Sequence, residues 1–153
     1  MLVLLFFIED VMYTIKCENV REIVPIVKLK KVPHTPDFFS GYFNYRGIIV
    51  PVIDLCQLIQ GRQCRMRLST RIILVNYTGK DNRSHIIGLM AERVTETVRK
   101  PKEAFISPII RSQDAPYLGG IVMEEGEMIQ YIDLEMLPDC INFLPETDSS
   151  VNI

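Results

Sequence analysis

The residue types that most often perform chemistry are few in this sequence, and they are not arranged as a catalytic set. Of the two histidines, His34 lies beside a proline-rich segment and His85 begins an apolar run. Histidine is the side chain that most often exchanges protons near neutral pH, yet neither histidine lies near a plausible nucleophile in the sequence. These positions favour solvated or structural roles, so we expect no catalytic residue and no enzyme.

The four cysteines lack a metal-binding pattern. The sequence has no C-x-x-C pair, and the seven residues between Cys56 and Cys64 do not match a zinc spacing. Buried free thiols are the usual state in a reducing cytosol, and we expect them here. Glycine-rich phosphate-binding motifs do not occur in the sequence, and the acidic run at 124–127 suits a solvated hairpin turn. The sequence therefore predicts no metal and no cofactor.

Length and composition narrow the class of protein. The chain has 153 residues, a net charge of −2 and a hydrophobic content of 48%. That length suits one domain with a sizeable core, and the apolar content hints at a buried interface as well. A net charge of −2 does not indicate the positively charged surface that binds nucleic acid, so we expect no nucleic-acid partner. No apolar run is long enough to span a bilayer, so we expect no direct membrane insertion.

The elements that would position a site are short β-strands. We predict strands at Leu2–Ile8, Met12–Lys16, Val20–Val24, Tyr42–Tyr45, Ile48–Ile53, Arg71–Tyr77, His85–Ala91, Arg93–Val98, Gly120–Met123 and Met128–Ile132. Their spacing is typical of barrels or sandwiches. The continuous apolar runs Val3–Ile8 and Ile48–Val50 indicate strands covered on both faces. Helical turns are expected at Pro36–Ser40 and after the N-capping residues Asp54 and Asp133.

The chain also repeats itself. The pattern E-x-V-x-E-x-V starts at Glu18 and again at Glu92, 74 residues later. The pattern I-D-L-x-x-L starts at Ile53 and again at Ile132, 79 residues later. Repeats in the same order at similar offsets favour two copies of one small β-unit, with chance recurrence of valine and isoleucine as the alternative.

The most specific signal is the segment from Gly41 to Leu55, GYFNYRGIIVPVIDL. Two apolar β-runs are joined by an Asn-x-Arg-Gly turn, in which Gly47 can adopt a positive φ. This string resembles the signature of the CheW-like domain family, the adaptors that couple chemoreceptors to a histidine kinase. Tyr45 replaces the usual leucine and Glu92 the usual aspartate. The form FNYRG looks like adaptors of surface-sensing or twitching-type systems.

The resemblance covers residues 1–144 and implies an all-β fold. We expect two small five-stranded SH3-like barrels, packed on a shared hydrophobic core, in one CheW-like domain. The first barrel would use mainly residues 1–60 and the second mainly 70–140, and terminal strands could cross over. Residues 145–153 are expected to form a flexible tail.

The resemblance also implies two binding surfaces. The regulatory domain of a CheA-type kinase would contact Val20, Gly41 and Tyr42, where a small residue at 41 lets another backbone approach. The cytoplasmic tip of a methyl-accepting chemoreceptor would contact a second set, near the groove between the barrels. That set is Ile23, Val24, Val94 and Val98. Core packing is the alternative for these aliphatic residues, and it is the better explanation for Val98.

Two charged residues invite a specific interpretation. Glu22 lies within an apolar strand and Arg46 lies at the signature turn, and the resemblance implies that the two strands are neighbours. The planar guanidinium of Arg46 could then clamp Glu22 and fix the shape of the turn. The alternative is an exposed ion pair that contributes roughly 0–1 kcal/mol.

Together these expectations describe a non-catalytic scaffold. It would be cytoplasmic and recruited to membrane-associated receptor arrays, holding kinase and receptor together. The alternative is a stand-alone regulatory β-domain that binds a small ligand or competes for kinase or receptor sites.

Overall fold

Ten strands and one short helix form the part of the chain that the computed structural model describes, residues 1–79 and 81–138. The strands are β1 (Leu2–Ile8), β2 (Val11–Lys16), β3 (Val20–Pro25), β4 (Phe39–Tyr45), β5 (Ile48–Asp54), β6 (Arg71–Thr78), β7 (Ser84–Ala91), β8 (Arg93–Arg99), β9 (Leu118–Glu124) and β10 (Glu127–Ile132). Helix α1 spans Leu55–Gln60, and 3₁₀ turns occupy Cys17–Asn19, Lys102–Ala104 and Leu134–Met136. All ten predicted strands are present. The expected tail at 145–153 lies outside the described residues.

The strands form two five-stranded sheets that combine early and late parts of the chain. The first has the order β8-β1-β2-β10-β9, and the second β3-β6-β7-β5-β4. Each sheet contains one parallel pair, β2 with β10 and β5 with β7. The hairpins β1–β2 and β6–β7 are therefore exchanged between the copies. The expected barrels, mainly residues 1–60 and mainly 70–140, allowed the terminal hairpin β1–β2 to cross over but did not include the exchange of β6–β7. A sequence repeat does not reveal this exchange, because each hairpin could form the same strand pairs with its own copy or with the other copy.

The repeat is visible in the strand register. Exchanging each strand of the first half with the strand five places later, β1 with β6 and so on to β5 with β10, converts one sheet order into the other. Val20 of β3 pairs with Val75 of β6, and its equivalent Val94 of β8 pairs with Phe6 of β1. The register of the β3–β6 pair shifts directly after Val20, and that of the β1–β8 pair shifts directly after Val94. Two copies of one β-unit therefore build the fold.

A shared core joins the two sheets. The main cluster contains Leu4, Phe6 and Ile8 of one sheet together with most buried residues of the other. A smaller cluster of Val3, Leu5, Val122 and Ile129 covers the opposite face of β1. Strand β1 is thus buried on both faces, as its continuous apolar run predicts.

Three local expectations have different outcomes. The run at 48–50 is not covered on both faces, because Ile48 and Ile49 are 44% and 72% exposed. At 36–40 the chain makes a turn, closed by the Phe39 N–H and the Pro36 carbonyl at 3.0 Å, instead of a helix. The N-caps are confirmed: Asp54 accepts from the Gln57 N–H and Asp133 from the Glu135 N–H. Within the described ranges, no helix is long and apolar enough to cross a bilayer.

Candidate partner-binding site

The signature segment folds into a tight hairpin between β4 and β5. Its two turn residues, Arg46 and Gly47, have φ angles of 51° and 86°. Two consecutive positive φ values define the turn that matches strand twist in a two-residue hairpin. The Asn44 side chain stabilises it by accepting a hydrogen bond of 2.7 Å from the Gly47 N–H. The sequence therefore fixes the position of the Arg46 backbone at the hairpin tip.

One carboxylate connects the two edges of the second sheet. Strand β3, which carries Glu22, and strand β4, which carries Tyr45, lie at opposite ends of the strand order. The Tyr45 hydroxyl nevertheless donates to Glu22 Oε1 at 2.6 Å, and Arg46 Nη2 lies 3.1 Å from the same oxygen. The sheet therefore curls until its edges meet through these side chains, as a barrel requires.

This contact differs from the one expected. Glu22 and Arg46 do come together, with Arg46 Nη2 3.1 Å from Glu22 Oε1, but β3 and β4 are not hydrogen-bonded neighbours. The Arg46 side chain is 73% exposed and that of Glu22 is 37% exposed, so the pair is not shielded from water. Tyr45 is a site residue that was not predicted from the sequence, although its departure from the family's usual leucine was a signal for it.

The apolar candidates fall into two groups by exposure. Ile23 and Tyr42 are 39% and 37% exposed and could contact a partner without rearrangement. The remaining aliphatic candidates are half-buried. Val20, Val24 and Val94 pack against the main core, and Val98 packs against the small one. Core packing therefore accounts for part of the surface of each half-buried valine, and the binding roles stay predictions.

Gly41 is buried, and the backbone that approaches it belongs to this chain. A Cβ placed on Gly41 would lie 2.6 Å from the Lys30 carbonyl oxygen, and its φ of 130° disfavours any side chain. The segment containing Lys30 also pairs with Tyr42 through two backbone hydrogen bonds of 2.8 and 2.9 Å. The small size of residue 41 is thus explained inside the fold, and its contact with a kinase stays a prediction.

A bidentate Arg–Glu pair does exist, but it lies at Glu92. Arg62 donates to both oxygens of Glu92 at 3.1 and 3.2 Å, and the backbone N–H groups of Glu9 and Arg65 donate at 2.7 Å each. Burial alone would raise the pKa of Glu92, but these donors lower it to about 2. Because Glu9 belongs to the β1–β2 turn and Glu92 joins β7 to β8, the cluster ties the two sheets together.

The expectation of free thiols is wrong for Cys56 and Cys64. Cys56 and Cys64 form a disulfide with their Cα atoms 5.1 Å apart, because α1 and the following loop bring them together. Cys17 is a free thiol, and burial raises its pKa. Cys140 lies outside the described residues. A carboxylate oxygen of Asp54 lies within 4.8 Å of both sulfurs of this disulfide. The carboxylate already accepts hydrogen bonds from the backbone N–H groups of Gln57 and Cys64.

The histidines have different surroundings. His85 Nε2 lies 2.8 Å from an Asp81 carboxylate oxygen within the β6–β7 hairpin, and the hydrogen bond that the Arg83 backbone N–H donates to Asp81 lowers the pKa of Asp81. His34 is exposed and has a positive φ of 61° in the loop before β4.

Comparison with known proteins identifies the family. The model of the CheW-like domain matches residues 2–139. This chain belongs to the CheW-like domain family. Its fold matches that of the scaffolding protein TtCheW from Thermoanaerobacter tengcongensis with a TM-score of 0.78 at 28% identity, over 89% of this chain and 86% of that one.

Curated relatives in the family point the same way. Protein FrzA of Myxococcus xanthus is 30% identical over 79% of this chain and 73% of its own length. The chemotaxis protein CheW of Helicobacter pylori is 32% identical over 68% of this chain and 59% of its own length. The two-barrel architecture is thus the fold of the CheW-like family, carrying a Glu22–Tyr45–Arg46 contact at its signature hairpin.

Proposed function

We propose that this chain is a non-catalytic adaptor that couples methyl-accepting chemoreceptors to a CheA-type histidine kinase in a chemosensory array. Family membership over residues 2–139 is the observation that carries the proposal. The relatives are named as chemotaxis and scaffolding proteins, and the candidate site offers binding surface rather than reactive groups. Such an adaptor works in the cytoplasm at membrane-associated arrays and supplies binding free energy and geometry.

The kinase surface is assigned to the outward face of the β4–β5 hairpin. Residues 42 and 51 lie directly opposite each other, as do 44 and 49, so Tyr42 and Ile49 share this face. Both are exposed, at 37% and 72%. Of the three proposed kinase contacts, Tyr42 is therefore the most accessible, whereas Val20 is half-buried and Gly41 is buried.

The receptor surface is assigned to strands β3 and β8. Each lies at an edge of its sheet, and each carries two of the proposed apolar contacts: Ile23 and Val24 on β3, Val94 and Val98 on β8. An amphipathic helix of the receptor could lay its apolar face on such residues.

The proposal is tested by assembling the chain with the kinase regulatory domain and the receptor tip from the same organism. We expect a complex of all three, with Tyr42→Ala weakening the kinase contact about tenfold, because exposed aromatic residues often dominate binding energy. The matched control is Ile121→Ala, at the equivalent position of β9. Absence of any complex with the wild-type chain would contradict the adaptor function.

A small-ligand function has one observation in its favour. A cavity of about 510 Å³ lies beside β4, with Leu29, Phe39 and Met90 among its lining residues. A cavity of about 490 Å³ occupies the equivalent place in the other copy, with Phe105 and Lys16 at the matching positions. Since the same hollow recurs with unrelated linings, it follows from the fold rather than from one ligand. Saturable binding of a metabolite that shifts the melting temperature would favour the ligand function instead.

A further inference from the structure

Tyr45 differs from the other residues at the signature turn because it is both buried and polar. Its residue is only 7% exposed, and its ring packs edge-on against Phe43 with centroids 6.4 Å apart. The Arg46 guanidinium lies 5.1 Å from the centroid of the same ring. A buried tyrosine has little conformational freedom, so its hydroxyl holds a fixed position at 2.6 Å from Glu22 Oε1.

Arg46 alone would hold Glu22 loosely. Its side chain is 73% exposed, and a single exposed ion pair is weak and screened by salt. The hydrogen bond from Tyr45 comes from a buried side chain, so its donor holds a fixed position. Its acceptor is a charged carboxylate, and hydrogen bonds to charged groups are stronger than those between neutral groups. Tyr45 is therefore the group that sets the orientation of the Glu22 carboxylate.

Tyr45 and Arg46 approach the same oxygen. The Tyr45 hydroxyl donates to Oε1 and the nearest Arg46 nitrogen lies 3.1 Å from it, and within residues 1–79 and 81–138 no hydrogen bond to Oε2 is found. The Glu22 side chain is 37% exposed, and a carboxylate oxygen can accept further hydrogen bonds. Along β3, Val24 lies on the same face as Glu22, and Ile23 between them lies on the opposite face; both are proposed receptor contacts.

We propose that Tyr45 is a positioning residue for receptor binding: its hydroxyl holds Glu22 by one oxygen and so directs the other to a hydrogen-bond donor on the receptor helix. The inference rests on the proposed adaptor function. It predicts a donor side chain, such as arginine, lysine or asparagine, beside the apolar face of the bound helix. The second copy cannot do this, because the equivalents of Glu22, Tyr45 and Arg46 are Glu96, Glu124 and Glu125.

The test uses Tyr45→Phe, which keeps the ring and removes only the hydroxyl. The matched control is Tyr117→Phe, since Tyr117 is 3% exposed and its hydroxyl donates to the Leu58 carbonyl at 3.2 Å, within a different contact. Affinity for the receptor tip and for the kinase regulatory domain is measured at low salt and at about 1 M salt, where the Debye length is about 3 Å.

We expect Tyr45→Phe to weaken receptor binding about tenfold, the loss typical of a charged hydrogen bond. The loss should grow with salt, because only the screened Arg46 contact then holds Glu22. Kinase binding should change less than twofold, and the Tyr117→Phe control should match wild type for both partners. In a Glu22→Gln background, the added Tyr45→Phe change should no longer alter the salt dependence.

Three outcomes would overturn the inference. Equal receptor affinity for Tyr45→Phe and Tyr117→Phe would reduce Tyr45 to a structural residue while leaving the adaptor function intact. Additive effects of Tyr45→Phe and Glu22→Gln would show that the hydroxyl does not act through the carboxylate. Failure of the wild-type chain to bind either partner would overturn both the inference and the adaptor function.

Discussion

The two hairpins β4–β5 and β9–β10 share a backbone and differ in chemistry. Their turns, Arg46-Gly47 and Glu125-Gly126, have φ angles of 51° and 86° against 48° and 83°. The first hairpin reaches the opposite edge of its sheet through Tyr45 and Glu22. The second does so through an ion pair of 3.0 Å between Lys100 and Glu124. The repeat thus specifies the backbone, while a few side chains decide which copy can present a positioned carboxylate.

The outward faces of the hairpins are less different than their tips. In the second hairpin, Met123 and Met128 are directly opposed and are 52% and 67% exposed, comparable to Tyr42 and Ile49 in the first. Exposed apolar surface alone therefore does not distinguish the copies. The copies differ in the contact between Glu22, Tyr45 and Arg46, which only the first hairpin has.

The largest expected effect concerns the paired glycines Gly41 and Gly120. A Cβ at Gly41 would lie 2.6 Å from the Lys30 carbonyl oxygen at a positive φ, whereas one at Gly120 would lie 3.0 Å from that of Ile106 without a positive φ. We expect Gly41→Ala to lower the free energy of unfolding by roughly 3 kcal/mol or more, and Gly120→Ala by about 1 kcal/mol. Urea denaturation measures both.

The same close contact with Lys30 makes Gly41→Asp unsuitable as a test of the kinase surface. Such a variant would lose kinase binding through an altered barrel, whatever the location of the interface. Equal stability of Gly41→Ala and wild type would show that the Lys30 segment moves away readily. It would restore residue 41 as a probe of the kinase surface.

The second prediction compares Glu92 with its exposed equivalent Glu18. The pKa of Glu92 is about 2 in the fold, below its ordinary value of 4.5. Its stabilising contribution is therefore fully present above pH 4.5 and is lost as the pH falls towards about 2. By linkage the difference amounts to roughly 3 kcal/mol.

Stability measured from pH 7 to pH 2 should therefore fall less steeply in Glu92→Gln than in wild type, starting from a lower value at pH 7. The Glu18→Gln control should follow the wild-type profile. A Glu92→Gln profile parallel to that of wild type would mean that Arg62 and the two backbone donors do not favour the charged form.

The sequence predicts local features of this fold better than distant contacts. Strand β1 follows from its continuous apolar run, and the caps Asp54 and Asp133 follow from short-range patterns; all three were found. The disulfide of Cys56 and Cys64 depends on where α1 directs its loop, which spacing alone does not reveal. The exchange of hairpins between copies is likewise hidden from the sequence, because the strands of either copy offer a hairpin similar pairing partners.

The candidate site shows the same limit. Glu22 and Arg46 could be named from their charges in an apolar context. The role of Tyr45 depends on the distance that its hydroxyl spans after the barrel edges meet. The role of Gly41 depends on Lys30, which comes from a segment without a recognisable pattern. In both cases, the missing information is a contact between parts of the chain that no short motif connects.

The smallest expected effect on stability concerns the exposed pair. Because Arg46 is 73% exposed, a double-mutant cycle of Glu22→Ala and Arg46→Ala should show a coupling below about 1 kcal/mol in thermal or urea unfolding. Coupling well above this value would indicate that the pair is shielded and stabilises the barrel itself. Binding defects of either variant could then no longer be separated from folding defects.

We propose that the Glu22 carboxylate, and not that of its repeat equivalent Glu96, accepts a hydrogen bond from the bound receptor. The most direct test is the affinity of the receptor tip for Glu22→Ala and for Glu96→Ala, the same substitution at the matching position of β8. We expect a loss of about tenfold, or about 1.4 kcal/mol, for Glu22→Ala and less than twofold for Glu96→Ala. Equal affinities for the two variants would contradict the account.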